Sequence, residues 1–331
     1  MSPNRRAALE FVLDNLVWLL LLVVLIVFSL FVPNYFQIGI FSNIIEQSTF
    51  VGVMAIGLAL VIIAGHMDLS VESVAALSAM VVSILFCDSG IGLGFTLTPD
   101  WLLIPVSLII ALAVGAVIGA TNGFLVVKVK MNAFIVTLAS YIWVRGLVVA
   151  ISGGRSAQDL APSIRVIGIA TIAYIPLIAW VAIAAFVIFS LIMAKTPFGR
   201  HLTMIGGNEA AAFRAGIKVD RLLIYSFIIA GAVAGLAGWL LAIRTSGATA
   251  NLGTGMLFNA FAAVVIGGVS LKGGVGKLPG VYAGALLLSS IHTAINLMGL
   301  PAHYTQVILG ALVLGAVLLD TVKLSIRQKL A

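Results

Sequence analysis

Two carboxylates four residues apart, Asp68 and Glu72, break an apolar stretch in the segment Gly65-His66-Met67-Asp68-Leu69-Ser70-Val71-Glu72-Ser73. An unpaired carboxylate at bilayer depth costs about 2.5–3.5 kcal/mol on insertion scales, so the pair needs a role. Three chemistries fit. Asp68 followed by Ser70 reads as the cap of a helix that begins near Leu69, with Glu72 in its first turn. The same residues also suit the lining or gate of a polar path. Proton exchange is the third, and would make the chain an ion-coupled secondary transporter using Asp68 and Glu72. If the helix ran unbroken through both, they would share a face and repel.

Other polar groups in or beside apolar segments are Asn122, Asn259 and Asn296. With Asp68, Ser70 and Glu72 they form the set from which a translocation path or gate would be drawn. His292 and Asn296, at i and i+4, either face that path or hydrogen-bond between helices. Arg145 lies about six residues, or about 9 Å, from the end of its apolar segment, close enough to reach the interface or to pair inside a bundle.

Enzymatic chemistry finds little support. The run Gly267-Gly268-Val269-Ser270-Leu271-Lys272-Gly273-Gly274-Val275-Gly276-Lys277 resembles a phosphate-binding loop at first sight. That motif needs Gly five residues before the Gly-Lys pair and Ser or Thr after it, whereas Leu271 and Leu278 occupy those places. The turn instead suits close helix–loop packing. His66, His201, His292 and His303 are scattered, and Cys87 is the only cysteine, so no disulfide or cysteine-clustered metal site exists within the chain. Neither a metal nor a cofactor is expected.

The elements that must position these groups follow from composition. Of 331 residues 62% are hydrophobic and 9% charged, with a mean hydropathy of +1.23. Soluble domains carry about 25% charged residues. Ten membrane spans of about 20 residues would use roughly 200 residues, close to the hydrophobic inventory. Composition therefore predicts an all-α polytopic membrane protein with about ten transmembrane helices and no separate soluble domain. The expected spans are 16–32, read as retained rather than cleaved, then 44–64, 69–87, 101–127, 131–151, 167–194, 221–243, 256–271, 278–298 and 304–322. The short segment before Gly267 and the interruption at 65–68 each predict a re-entrant or broken helix.

The net charge of +7 has a topological origin. With cytoplasmic N- and C-termini, one face receives Arg5, Arg6, Lys128, Lys130, Lys195, Arg200, Arg214, Lys218, Arg221, Lys272, Lys277, Lys323, Arg327 and Lys329. The other receives Arg155, Arg165 and Arg244, and Arg145 lies within a span. That asymmetry follows the positive-inside rule and argues against a nucleic-acid partner. The stripes Gly115-Ala116-x-x-Gly119 and Gly231-x-x-x-Gly235-x-x-Gly238 predict close helix packing, with a dimer seam as the alternative.

The longest polar segment between spans, 195–221, reads as a cytoplasmic coupling loop containing a short helix. Asn208 caps it, Glu209 favours the positive end of its dipole, and Gly216 supplies a left-handed stop. Phe213 is expected to bury one face, while Arg214 meets solvent or a partner. A helix too short to persist alone gains stability from something it packs against, which makes 195–221 either an ordinary connecting loop or the carrier of a docking helix for a cytoplasmic partner, the latter favoured by its length.

Several segments recur in the order known from one family: Gly65-x-x-Asp68-Leu69-Ser70-Val71, Thr137-Leu138 leading to Arg145-Gly146, and Thr196-x-Phe198-Gly199-Arg200. Ile205-Gly206-Gly207-Asn208 ending at Gly216-Ile217 follows, then Ala263-Val264-Val265-Ile266-Gly267-Gly268 with Gly273-Gly274-x-Gly276. The chain resembles the membrane permeases of bacterial ABC importers for simple sugars, the ribose and xylose type. The resemblance covers nearly the whole chain. It implies a single permease domain over 1–331 in the bacterial inner membrane, in contact with lipid and paired with a second copy or a related permease. It further implies separate cytoplasmic ATP-binding subunits and a periplasmic sugar-binding protein. ATPase coupling would then fall on Gly206, Gly207, Asn208, Glu209, Phe213, Arg214 and Gly216. Two departures stand out. Glu72 occupies a place where the family usually has Gly, and Glu209 follows Asn208 directly, with Ala210 where relatives often carry Glu.

Overall fold

A computed structural model describes residues 15–301 together with Tyr304, Val307, Ile308, Gly310, Ala311, Leu314, Gly315 and Leu318, which are helical. Arg5, Arg6, His303, Asp320, Lys323, Arg327 and Lys329 lie outside the described residues. The chain runs through α1 (Leu16–Phe31), α2 (Ile38–Ile63), α3 (Val71–Phe86), α4 (Leu103–Val127), α5 (Ala133–Ser152) and α6 (Pro162–Ile169). It continues through α7 (Leu177–Lys195), α8 (Pro197–Gly207), α9 (Glu209–Arg214), α10 (Val219–Thr245), α11 (Met256–Ile266) and α12 (Leu278–Leu297). Among the described residues six helices are long and apolar enough to cross a membrane: α2, α4 with the turn before it, α5, α7, α10 and α12. α1, α3 and α11 are apolar but shorter. The chain is a helical membrane protein.

Both expected interruptions are present. α2 stops at Ile63 and α3 starts at Val71, with Gly65 at φ +86° between them. α11 has only 11 residues, about 17 Å of helix against a hydrocarbon core of about 30 Å.

One expected span needs correction. Residues 167–194 are not continuous helix: α6 ends at Ile169, a hairpin of β3 (Thr171–Ile172) and β4 (Ile175–Pro176) intervenes, and the long helix begins at Leu177. Ala173 and Tyr174, both at positive φ, make the turn, and Pro176 cannot donate a helical hydrogen bond. These turn residues are apolar, so hydropathy alone runs through them.

The two glycine stripes pack on each other. A β-carbon on Gly115 would overlap the Gly231 carbonyl, one on Gly119 the Phe227 carbonyl, and one on Gly235 the Ala111 carbonyl. Bare backbone lets α4 and α10 approach where no hydrophobic drive separates helix from lipid. The seam is therefore internal to the chain, which removes the dimer alternative for these stripes. α2 and α10 are buried along most of their length, whereas α5 and α7 turn apolar side chains such as Ile142 and Val187 outward.

Opposite ends of the bundle are fastened differently. At one end β1 (Cys87–Gly90), β2 (Ala157–Leu160) and β5 (Gly247–Ala248) form an antiparallel sheet in the order β1-β2-β5, which joins the termini of α3, α5 and α10. Such short strands depart from a purely helical expectation, because the connecting backbone must satisfy its own hydrogen bonds. At the other end lie α8, α9 and the glycine-rich turn 267–277. There three glycine pairs or singles meet: a β-carbon on Gly206 would overlap Ile63 backbone, one on Gly273 would crowd Gly65, and one on Gly274 would crowd Gly207.

Candidate functional site

The break between α2 and α3 builds the first cluster. Asp68 and Ser70 are fully buried. Asp68 Oδ1 accepts from the Ser70 N–H at 2.9 Å and from the Ser70 hydroxyl at 2.6 Å. The backbone bond closes a turn just ahead of α3, which starts at Val71 rather than Leu69: Glu72 lies in its first turn as expected, but its N-cap is Ser70, whose side chain makes no capping hydrogen bond. From there a polar chain crosses to two other helices. Asn122 Nδ2 on α4 donates to Ser70 Oγ at 3.0 Å, and Ser140 Oγ on α5 donates to Asn122 Oδ1 at 2.5 Å. Among the described residues nothing bonds the second Asp68 oxygen, Oδ2, which is also buried.

Glu72 faces a different set of partners. Its Oε1 accepts from Arg145 Nη2 at 2.9 Å and from the Tyr141 hydroxyl at 3.3 Å, and its Oε2 accepts from the Leu257 N–H at 2.8 Å. Arg145 Nη1 donates to the carbonyls of Ala250 and Leu252, both at 3.1 Å. Arg145 therefore pairs inside the bundle instead of reaching the interface, and Asp68 and Glu72 escape mutual repulsion because each has its own donors.

Asn259 and Asn296 join neither cluster. Asn259 is half-buried on α11. Asn296 is exposed in the last turn of α12, where its amide lies 3.3 Å from His292 Nδ1. Ser140 and Tyr141 were not singled out by sequence. Their signal was available: Thr137, Ser140, Tyr141 and Arg145 repeat at helical spacing along one face of an otherwise apolar α5.

The second region is α8–α9. Gly206 and Gly207 end α8, and Asn208 caps α9, its Oδ1 accepting from the Ala211 N–H at 2.9 Å. Glu209 starts α9, Arg214 ends it, and Gly216 turns left-handed at φ +81°. The expectation that Phe213 buries a face is corrected: its side chain is 71% exposed, and Ala212 packs inward at 2%. On so short a helix only one position faces the bundle, and the small residue holds it.

These two regions are joined through backbone. The Gly274 N–H donates to the Ile63 carbonyl at 2.9 Å, and Gly206 sits against both. His66, in the break outside both helices, lies near Glu209: burial lowers its pKa and the Glu209 carboxylate opposes that shift. Backbone contact thus runs from Gly206, two residues before the cap of α9, to Ile63 at the head of the break that carries Asp68.

Comparison with known proteins agrees in scale with this whole-chain architecture. The family described as "Branched-chain amino acid transport system / permease component" matches residues 40–317. The ribose import permease protein RbsC of Escherichia coli K12 is 32% identical over 327 residues, 98% of each chain. RbsC of Bacillus subtilis is 35% identical over 306 residues, 92% of this chain and 91% of that protein. The L-arabinose transport system permease protein AraH of Escherichia coli K12 is 34% identical over 305 residues, 91% of this chain and 88% of that protein. No solved structure matches. A match of this extent, on a helical chain of this hydropathy, places the protein in that family, and it belongs there as the permease component rather than the ATPase.

Proposed function

We infer that this permease imports a pentose or a closely related sugar or polyol across the bacterial inner membrane, driven by separate ATP-binding subunits. Curated relatives over nearly its full length carry ribose and L-arabinose in their names. The chain acts as a single permease domain of about ten spans with cytoplasmic termini. The glycine end is then cytoplasmic, in keeping with Lys128, Lys130, Lys195, Arg200, Lys272 and Lys277 beside it. Two copies, or this chain and a related permease, complete the path in the lipid, and a periplasmic sugar-binding protein delivers the solute.

The observation that carries the mechanism is the backbone contact between Gly206, at the end of α8 beside the α9 cap, and Ile63, at the start of the break that carries Asp68. The coupling surface runs over Gly206, Gly207, Asn208, Glu209, Phe213, Arg214 and Gly216, within the cytoplasmic loop 195–221. Exposed Phe213 and Arg214 supply an apolar and a charged contact to an ATP-binding subunit. Movement of α9 is passed through Gly206 and Gly274 to Ile63, and so to Asp68. Asp68, Ser70 and Asn122 form the gate: buried and bonded in series from the break to α4, and on through Ser140 to α5, they hold the helices together until that movement parts them. Glu72 supports the gate from α3, while Asn259 and Asn296 serve the path farther along. Partner binding favours one of two states, as alternating access requires.

The ion-coupled reading draws on Asp68 and Glu72; Glu72 is already bonded to Arg145, Tyr141 and Leu257, and the uptake experiment decides for the pair. Uptake of radiolabelled D-ribose and L-arabinose by vesicles holding the complete transporter tests the inference. ATP-dependent uptake that survives an uncoupler supports it. Uptake without ATP that collapses with the uncoupler refutes it.

A further inference from the structure

Between the end sheet and α11 the chain takes an unusual route. Gly247–Ala248 pairs with β2 at the sheet end of the bundle. A few residues later the carbonyls of Ala250 and Leu252 meet Arg145, and the N–H of Leu257 meets Glu72. Arg145 lies about 10 Å inward from the end of α5 at Ser152, and Glu72 about 21 Å inward from the end of α3 at Phe86. Residues 249–255 therefore descend into the bundle as non-helical backbone. This also explains why α11 is short: it begins at depth.

Thr249, Asn251, Thr254 and Gly255 in this descent are exposed. Irregular backbone at membrane depth is not found facing lipid; it is covered by protein or borders water. On the inward side Arg145 and Glu72 meet the carbonyls of Ala250 and Leu252 and the N–H of Leu257. On the other side the Thr254 hydroxyl donates to the Asn251 carbonyl at 2.8 Å, which leaves its oxygen and the exposed Asn251 side chain open to a ligand.

We propose that residues 249–255 form a re-entrant segment whose exposed side lines the aqueous translocation path, clasped at depth by Arg145 and Glu72, and that Asn251 and Thr254 offer it hydrogen bonds to a hydroxylated solute. The clasp grips both ends of the descent at once, so Arg145 and Glu72 are positioning residues: they fix where the polar side of the segment stands. Only the nature of the solute rests on the importer reading above; the placement of the segment does not.

Cysteine reactivity in membrane vesicles containing the full transporter tests this. The native thiol is a quiet background, because Cys87 is buried and burial pushes its pKa up to about 12. Asn251→Cys and Thr254→Cys are compared with Val187→Cys, an exposed apolar position near the middle of α7. A charged, membrane-impermeant methanethiosulfonate reagent should modify the first two about tenfold faster or more, because neither thiolate nor reagent is stable in hydrocarbon. Rates equal to that of Val187→Cys overturn the path assignment. So does a spontaneous disulfide between two Asn251→Cys copies that blocks labelling, since the segment would then be covered by the second permease.

The clasp is read separately. Glu72→Gln keeps an acceptor for Leu257 but removes the charge, and Arg145→Lys keeps the charge but loses the fork. Either change, in chains that insert normally, should alter the Asn251→Cys labelling rate about threefold or more, since a segment released at one end changes its exposure. Unchanged rates in both variants overturn the clasp. Labelling requires no sugar. Fast labelling that D-ribose, supplied with the binding protein, fails to slow would therefore count against a pentose solute and leave the placement standing.

Discussion

The backbone N–H of Gly274 donates to the carbonyl of Ile63 across 2.9 Å, in the place where α2 stops and Gly206 packs against both. Ile63 is the last residue of the helix before the break that carries Asp68, and Gly206 is two residues from the cap of α9. Three segments far apart in sequence thus share one backbone contact, and no side chain can be inserted there without separating them.

Gly206 and its neighbour Gly207 make a matched test of that contact. A β-carbon on Gly206 would overlap the Ile63 carbonyl and crowd the Gly274 nitrogen, whereas one on Gly207 meets nothing within 4 Å among the described residues. Gly206→Ala should destabilise the permease by about 1–3 kcal/mol, the usual effect of overpacking. Gly207→Ala should stay within about 0.5 kcal/mol of the parent. Thermal unfolding of the purified chain in detergent, followed by tryptophan fluorescence, reads both. Equal midpoints would show that the three segments are not in fixed contact.

The exposed helix gives a prediction that separates folding from coupling. Phe213 is 71% exposed and the Arg214 side chain reaches no carboxylate among the described residues. Phe213→Ala and Arg214→Glu should therefore leave the unfolding midpoint within the range of ordinary surface changes, about 0.5 kcal/mol. Both should reduce co-purification with the ATP-binding subunits and ATP-driven uptake. Normal association and uptake in both would exclude this face as the docking surface.

Asn208→Ala tests the same helix from inside. The lost cap costs about 1 kcal/mol, and a helix of six residues has little else to hold it. Hydrogen exchange over 209–214 should accelerate while exchange in α10 stays unchanged. Ala211→Pro removes the donor that Asn208 accepts from and should act in the same direction. Protection that survives both would show that packing through Ala212 alone holds α9.

Much of this was legible in sequence because it is local. A cap needs only Asn208 and the residues that follow it, a break needs only Gly65 and the polar run behind it, and glycine stripes announce close packing wherever they lie on an apolar helix. The hairpin at 171–176 was hidden for the opposite reason: it carries no charge and is mostly apolar, so the hydropathy of one long span masked the turn, and only Pro176 hinted at it. Phe213 misled because an apolar type was taken for an inward direction, which depends on how α9 is set against its neighbours. The partners of Glu72 and Arg145 lie in three elements distant along the chain, and tertiary placement chose them. Composition could say that such charges need partners; it could not say which.

Glu72 and Arg145 supply the last prediction. Glu72 is buried, and the Arg145 side chain retains 18% of its exposure. Removing one member of a buried pair strands the other and costs about 3–5 kcal/mol, with the lower end expected here because Arg145 keeps some contact with solvent. Glu72→Gln and Arg145→Met alone should each lower the unfolding midpoint. Together they should cost less than their sum, since neither leaves an uncompensated charge, and the shortfall measures the coupling between the two sites. Leu257 complicates the cycle in a useful way. Glutamine still offers an oxygen to the Leu257 N–H, so the Glu72→Gln arm isolates the loss of charge, whereas Glu72→Ala adds the loss of that acceptor. The extra destabilisation of Glu72→Ala over Glu72→Gln then combines the lost hold on the start of α11 with the lost side-chain packing. Strict additivity of Glu72→Gln with Arg145→Met would mean that the pair is not a unit, and that each residue holds the 249–257 segment independently.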